Sequence, residues 1–270
     1  MHVVVCVKQV PDTANVRINP ETNTLMREGV ESILNPFDEY ALEQGLMLKD
    51  RHGARITVVS MGPPQAVAVL RESLARGADD AVLVSSRAFG GADTLATSYT
   101  IAQAVKKACG GRTPDLVLFG KQAIDGDTAQ VGPGVSEFLG VPLVTYVRKI
   151  DVSVGSGGAE FSVESVMDDG VATIEGTLPA VMTVLKESDA PRYAPLAGAI
   201  RAAKADISVL DEKDIEADPS GIGLKGSPTK VVTIFPPPIK GGGKKISATG
   251  QEAAKAILSF LEKKGMVKNG

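Results

Sequence analysis

The densest chemistry in the sequence lies in Gly120-Lys121-Gln122-Ala123-Ile124-Asp125-Gly126-Asp127-Thr128-Ala129-Gln130-Val131-Gly132-Pro133. This stretch follows an apolar run and leads into a helix-like one. It therefore sets free backbone N–H groups beside the positive end of a helix dipole, a setting that suits phosphate. Gly126 and Gly132 let the backbone come close to a ligand, and Thr128 and Gln130 add side-chain donors. Asp127 and Thr128 are equally good helix caps, and on these residues alone both readings stand. Asn35-Pro36-Phe37-Asp38 is a second helix start, where Asn35 can cap the helix and also meet a ligand; capping alone accounts for Asp38. A third start, Gly90-Gly91-Ala92-Asp93-Thr94-Leu95-Ala96-Thr97-Ser98, is rich in hydroxyls, among them Thr94 and Thr97. Three such starts at one edge favour a polyanionic ligand more than any one of them does.

Other chemistry is scarce. Cys6 lies in an apolar strand that raises a thiol pKa, with no histidine placed to activate it, so it reads as a packing residue. His2 and His52 fall in a terminus and a polar loop and read as solvated. Two Cys and two His are too few for a structural zinc site. No Ser/His/Asp set, Gly-x-Gly-x-x-Gly or phosphate-binding Gly-x-x-x-x-Gly-Lys is present, and Gly241-Gly242-Gly243-Lys244-Lys245 follows a triple proline in the wrong residue order. If the protein has redox or bond chemistry, a cofactor supplies it.

The elements that must position these residues are legible from periodicity. Apolar runs at Val3–Val7, Ile56–Val59, Ala81–Val84 and Leu116–Phe119 alternate with helical patterns. Those helices start at Pro36, Pro63-Pro64, Asp93-Thr94 and Asp127-Thr128, and stop near Gly53, Gly77, Gly110 and Gly140. Asn15, Asn19-Pro20 and Asn23 mark turns in the first loop. Strand–helix alternation of this kind predicts an α/β fold, a mainly parallel doubly wound sheet. Ligands in such sheets bind beyond the carboxyl ends of the strands, here Cys6-Val7-Lys8, Ser60-Met61-Gly62, Ser85-Ser86 and Gly120-Lys121-Gln122. After Val141 four strand-like runs (Leu143–Val147, Phe161–Val166, Val171–Ile174 and Val181–Leu185) without long helices between them predict an antiparallel extension of the sheet.

Three regions follow from this pass: an α/β domain over 1–187, an extended arm over 188–236, and a linker with a terminal amphipathic helix over 237–270. The linker combines Pro236-Pro237-Pro238 with a glycine triplet, and the helix carries Ala253, Ala254, Ile257, Leu258 and Leu261. Among 270 residues, 43% are hydrophobic and 23% charged, as in ordinary globular proteins. A net charge of −3, aromatics at 4% and no Trp argue against nucleic-acid binding. The longest uncharged stretch, Ile56–Leu70, is too short for a membrane span and contains two prolines. The apolar run at the start is too short for a signal peptide and lacks a basic lead-in. Two separated cysteines fit a reducing cytoplasm.

Five segments together resemble the β subunit of electron transfer flavoproteins: Val-Val-Cys-Val-Lys-Gln-Val-Pro-Asp at 4–12, Asn-Pro-Phe-Asp at 35–38, Ser-Met-Gly-Pro at 60–63, Gly-Lys-Gln-Ala-Ile-Asp at 120–125 and Pro-Arg-Tyr-Ala-Pro-Leu at 191–196. The resemblance implies a heterodimer whose α subunit carries an FAD and whose β subunit holds an adenine nucleotide at the sheet edge. The family's nucleotide contacts match Cys6, Asn35, Pro36, Phe37, Asp38, Met61 and every residue from Gly120 to Val131. In ordinary members the nucleotide is AMP; in the electron-bifurcating branch it is a second FAD that takes hydride from NADH. Ile-Asp-Gly-Asp-Thr-Ala-Gln-Val-Gly-Pro at 124–133 and Gly-Gly-Ala-Asp-Thr-Leu-Ala-Thr at 90–97 resemble the bifurcating branch, with Gly126 where ordinary members have an acidic residue. That implies a redox subunit serving ferredoxin or flavodoxin and, through the α subunit, an acyl-CoA or other flavin dehydrogenase. Its chemistry runs only through bound FAD. Arg192, Tyr193 and Leu196 resemble the family's partner-recognition loop. A reading of another class, a solitary adenine-nucleotide-binding regulator, leaves the arm without a purpose.

Overall fold

In the computed structural model, residues 1–12, 17–18, 25–26, 31–155, 158–230, 232, 243 and 245–267 are described. Asn15, Asn19-Pro20, Asn23, Pro236-Pro237-Pro238, Gly241-Gly242 and Lys244, read above as turns and linker, lie outside them. Two compact units are formed, Met1–Val232 and Thr233–Gly270.

The first unit is built on a nine-stranded sheet. Its parallel core is β1 (His2–Cys6), β6 (Arg55–Met61), β7 (Asp80–Val84), β8 (Leu116–Gly120) and β12 (Ala180–Val184). Two small ribbons flank the loop after β1, one of β2 (Gln9–Pro11) with β5 (Ser32–Leu34), the other of β3 (Arg17–Ile18) with β4 (Leu25–Met26). Four helices connect the core strands: α1 (Pro36–His52), α2 (Val67–Arg76), α3 (Thr94–Ala108) and α4 (Val131–Leu139). β9 (Leu143–Gly155), β10 (Gly158–Met167) and β11 (Gly170–Thr177) extend one side, and β13 (Ser208–Leu210) closes the other. The order is β11-β10-β9-β12-β8-β1-β6-β7-β13.

The continuous apolar run of β1 is explained by burial on both faces. Val3, Val5 and Val7 enter one core with Leu42, Leu46 and Leu70 from α1 and α2, whereas Val4 and Cys6 enter another with Ile101, Val105 and Val135 from α3 and α4. From β1 the chain winds outward through β6 to β7, and α3 then carries it back across to β8 on β1's other side. The winding reverses at β1, so the crevice beyond the β1 and β8 carboxyl ends is the topological switch point, the place where such sheets bind ligands.

The extension differs from the sequence expectation in one strand. β9, β10 and β11 form an antiparallel meander. The Val181–Leu185 run, however, returns as β12 between β8 and β9 and pairs parallel with both. Its five residues are all buried, which a strand covered on both faces allows and alternation cannot reveal. Residues 188–230 belong to the first unit. They supply α5 (Leu196–Lys204), which packs on α2, and β13, which pairs with β7. Gly198 is required there, because a Cβ would collide with the Ala75 carbonyl oxygen.

In the second unit α6 (Gly250–Lys263) is started by a capping box, Thr249 with Glu252. Ile257, Leu258 and Phe260 are exposed on it.

Candidate functional site at the switch point

Asp38 joins the two strand ends that frame the crevice. Its Oδ2 accepts from the Lys8 amide at 2.8 Å and its Oδ1 from the Gly120 amide at 3.2 Å. The capping account given to Asp38 by sequence is therefore corrected: its carboxylate spans β1 and β8. Burial pushes its carboxyl up to about 7, against the bonds from Asn35, Lys8 and Gly120 that hold it down. Gly120 must be glycine, since a Cβ would meet the Asp38 carboxylate and lie 2.5 Å from the Phe37 carbonyl carbon.

Asn35 holds the capping position of α1, but its side chain makes no cap bond there. Its Nδ2 donates to Gln122 O at 2.9 Å, its Oδ1 accepts from Ile124 N–H at 3.2 Å, and its own amide donates to Lys8 O at 2.9 Å. The loop after β8 is thus tied to β1 through a fully buried asparagine. Lys8 Nζ adds a pair to both oxygens of Asp125 at 2.8 Å, and Gln122 donates to Asp127. Both loop carboxylates are engaged, which lowers their repulsion toward an anion. Cations cluster at the same edge: Lys121 Nζ lies 5.3 Å over the Tyr146 ring, and Lys186 Nζ lies 4.6 Å over Phe37.

The loop ends at α4, whose first turn has no side-chain cap; the capping position is Gln130, not Asp127 or Thr128. Asp127 and Ala129 take left-handed backbone, each with φ 55°, an uncommon conformation for residues bearing a Cβ. Among the described residues, no acceptor meets the amides of Thr128, Ala129, Gln130, Val131 or Gly132. A Cβ placed on Gly126 would meet nothing within 4 Å. A row of unsatisfied donors at a helix dipole end suits a phosphate or pyrophosphate group. A nucleotide bound there fits this donor set.

Thr94 belongs to the same edge, its hydroxyl bonded to Gln130 Oε1 at 3.2 Å. Thr97 lies one turn further along α3, half-buried. The α3 start itself is already filled: Asp93 accepts from the amides of Leu95 and Ala96 and from both the amide and hydroxyl of Thr229. Met61 ends β6 and packs with Cys6 in the core between the sheet, α3 and α4. The Cys6 thiol is buried, and burial together with Asp38 raises its pKa, so it is no nucleophile. The expectation of a solvated His2 is corrected: its ring bonds to Thr57 Oγ1 at 2.8 Å. Among the described residues no cluster of His, Cys, Asp or Glu can hold a metal, and no helix is long and apolar enough to cross a membrane.

The 191–196 loop lies elsewhere. Arg192 clamps Glu43 and Asp50 on α1, with Nη2 at 2.8 Å from each carboxylate. Asp50 is 14 residues along the helix axis from Pro36, about 20 Å from the strand ends. Arg192 therefore serves as an anchor for the loop. Tyr193 and Leu196 project from it, 96% and 79% exposed.

The model of the electron transfer flavoprotein domain matches residues 22–215. The chain belongs to the electron transfer flavoprotein β-subunit family. It is 49% identical to the electron transfer flavoprotein subunit beta of Clostridium acetobutylicum over 97% of this chain and 98% of that one. It is 47% identical to the caffeyl-CoA reductase-Etf complex subunit CarD of Acetobacterium woodii, over 99% and 100%. It is 49% identical to protein FixA of Azotobacter vinelandii, over 88% and 84%. Membership of the electron transfer flavoprotein β-subunit family implies an α-subunit partner and flavin- or AMP-type cofactors.

Local spacing gave no warning of the Asp93–Thr229 and Glu43–Arg192 contacts, which join residues 136 and 149 apart. Lys8, by contrast, already stands in the strand-end list.

Proposed function

We propose that this chain is the β subunit of an electron-bifurcating flavoprotein, holding FAD at the switch point rather than AMP. When bound, that FAD supplies hydride acceptance from NADH and single-electron delivery toward the α-subunit FAD and a low-potential carrier such as ferredoxin or flavodoxin. One observation carries the reading: Gly126 faces open space immediately before the unpartnered amides of 128–132. A single phosphate occupies few of those donors, and a pyrophosphate uses the whole row. Gly120 and Asp38 hold the strand ends, Lys8 and Gln122 occupy the loop carboxylates, and Thr94 and Gln130 border the path beyond the first phosphate. Tyr193 and Leu196 are proposed to meet a dehydrogenase, and the apolar residues of α6 to pack on the α subunit.

Flavin counting on the purified heterodimer tests this. Two FAD per heterodimer, both reduced by NADH, are expected. Gly126→Asp, which places a carboxylate beside the pyrophosphate path, is expected to retain only the α-subunit flavin. One FAD with one AMP and no reaction with NADH overturns the bifurcating reading.

A further inference from the structure

Asn35 is where the nucleotide loop, β1 and α1 meet, and every polar group it has is spent on the protein. Its amide bonds to Lys8 O at 2.9 Å and its carbonyl oxygen accepts from the Asp38 amide at 2.8 Å. The two ends of its side chain hold Gln122 O and Ile124 N–H. A carbonyl only accepts and an N–H only donates, so these partners fix which end of the amide faces which. A side chain committed in this way has no group left for a ligand.

The placement has consequences for the loop. Gln122 and Ile124 are held two residues apart by one rigid planar group, at the point where the chain leaves β8 and turns toward α4. The left-handed residues Asp127 and Ala129 and the unpartnered amides of 128–132 follow directly. No regular secondary structure intervenes to correct an error in their position. An isolated loop would lose conformational entropy on binding an anion; a loop already tied down loses less.

We infer that Asn35 is a positioning residue: its side-chain amide sets the conformation of residues 121–131 and thereby the affinity of the strand edge for phosphate-bearing ligands. The second half of this inference rests on the proposed nucleotide site; the first half does not.

The test uses the full heterodimer freed of β-subunit nucleotide, with two readouts. Hydrogen exchange reports the order of residues 121–131, and titration with AMP and with FAD reports affinity. Asn35→Ala is expected to speed exchange in 121–131 while β1 and β8 stay protected, and to weaken AMP about tenfold, the equivalent of about 1.4 kcal/mol. Asn35→Asp separates positioning from general damage. As a carboxylate it lacks the donor for Gln122 O; protonated, it again offers one donor and one acceptor. The charged groups around that position are Asp38 on α1, which the Asn35 side chain itself bonds, Lys8 beyond β1, and Lys121 and Asp125 in the loop; Asn35→Ala, which also lacks the bond to Asp38, is the control for their titration at each pH. A carboxyl buried at this position lies above the ordinary carboxylate range, so exchange in the Asn35→Asp loop, divided by the parent's, is expected to fall toward one as the pH is lowered from about 8 toward about 4. The Asn35→Ala ratio is expected to stay high throughout. Unchanged loop exchange in Asn35→Ala, or no recovery of Asn35→Asp in acid, overturns the inference. Raised loop exchange with unaltered AMP and FAD affinity upholds the positioning and overturns the nucleotide assignment of the loop.

Discussion

The starts of α3 and α4 lie side by side, yet they are finished in opposite ways. At α3 the chain supplies its own anion: Asp93 takes two helix amides and then two donors from Thr229. At α4 the capping position holds Gln130, whose side chain makes no cap bond, and among the described residues the amides of Thr128 and Ala129 before it have no acceptor. Pro133 in the first turn removes a further N–H, so an introduced cap has little but Gly132 to hold. One helix end is completed for stability, and the adjacent one is left incomplete. The proposed nucleotide site needs this difference between neighbouring helix starts, a capped one at α3 and an uncapped one at α4.

The contrast can be broken first at α4. Gln130→Asp places a carboxylate where the proposed anion would bind. Its expected result is AMP binding at least about tenfold weaker in the heterodimer, without loss of thermal stability, because an acidic cap favours the helix. Unchanged AMP affinity by calorimetry places the anion elsewhere. The mirror experiment is Asp93→Ala, which uncaps α3 and frees Thr229. It is expected to cost about 1–2 kcal/mol in denaturant unfolding and to leave AMP affinity within twofold. A nucleotide loss as large as that of Gln130→Asp would erase the distinction between the two ends.

A pH-dependent effect comes from Asp38, with its carboxyl pushed up to about 7 in the fold by burial. In the unfolded chain it ionises near 4. Between these values the folded chain keeps a proton that the unfolded one has lost, so stability falls as pH rises, by at most about 1.4 kcal/mol per pH unit. Above about 7 the contribution is flat. Asp38→Asn is expected to lose this slope, checked by unfolding free energies measured across the window. The smallest change in stability is expected at a third helix start. Leu196→Ala at the head of α5 should alter stability by less than about 0.5 kcal/mol and leave cofactor content unchanged, while raising the apparent Michaelis constant for the proposed dehydrogenase partner. A normal partner constant moves the docking surface away from Leu196.

Much of this organisation was legible in the sequence. Strand and helix runs gave the doubly wound core, because burial on one or both faces writes itself directly into periodicity. The strand-end list points to the candidate site before any motif does. Partner choice was not legible. Val181–Leu185 is as apolar as an antiparallel core strand would be, and nothing in its residues shows that it slips between β8 and β9. Asn35, Asp38 and Arg192 were read locally, as caps or exposed contacts, because near neighbours are all that spacing shows. Their side chains also reach partners 30 to 149 residues away.

The clamp of Arg192 on Glu43 and Asp50 has a thermodynamic corollary for the two side chains beside it. Tyr193 and Leu196 stand between that clamp and the contact of Gly198 with Ala75, so their backbone is braced on both sides. The ordering a flexible loop would undergo on docking was completed when the chain folded. An encounter at this loop spends its apolar contact on affinity instead of on freezing the chain, and because Glu43 is buried the brace is poorly screened by salt.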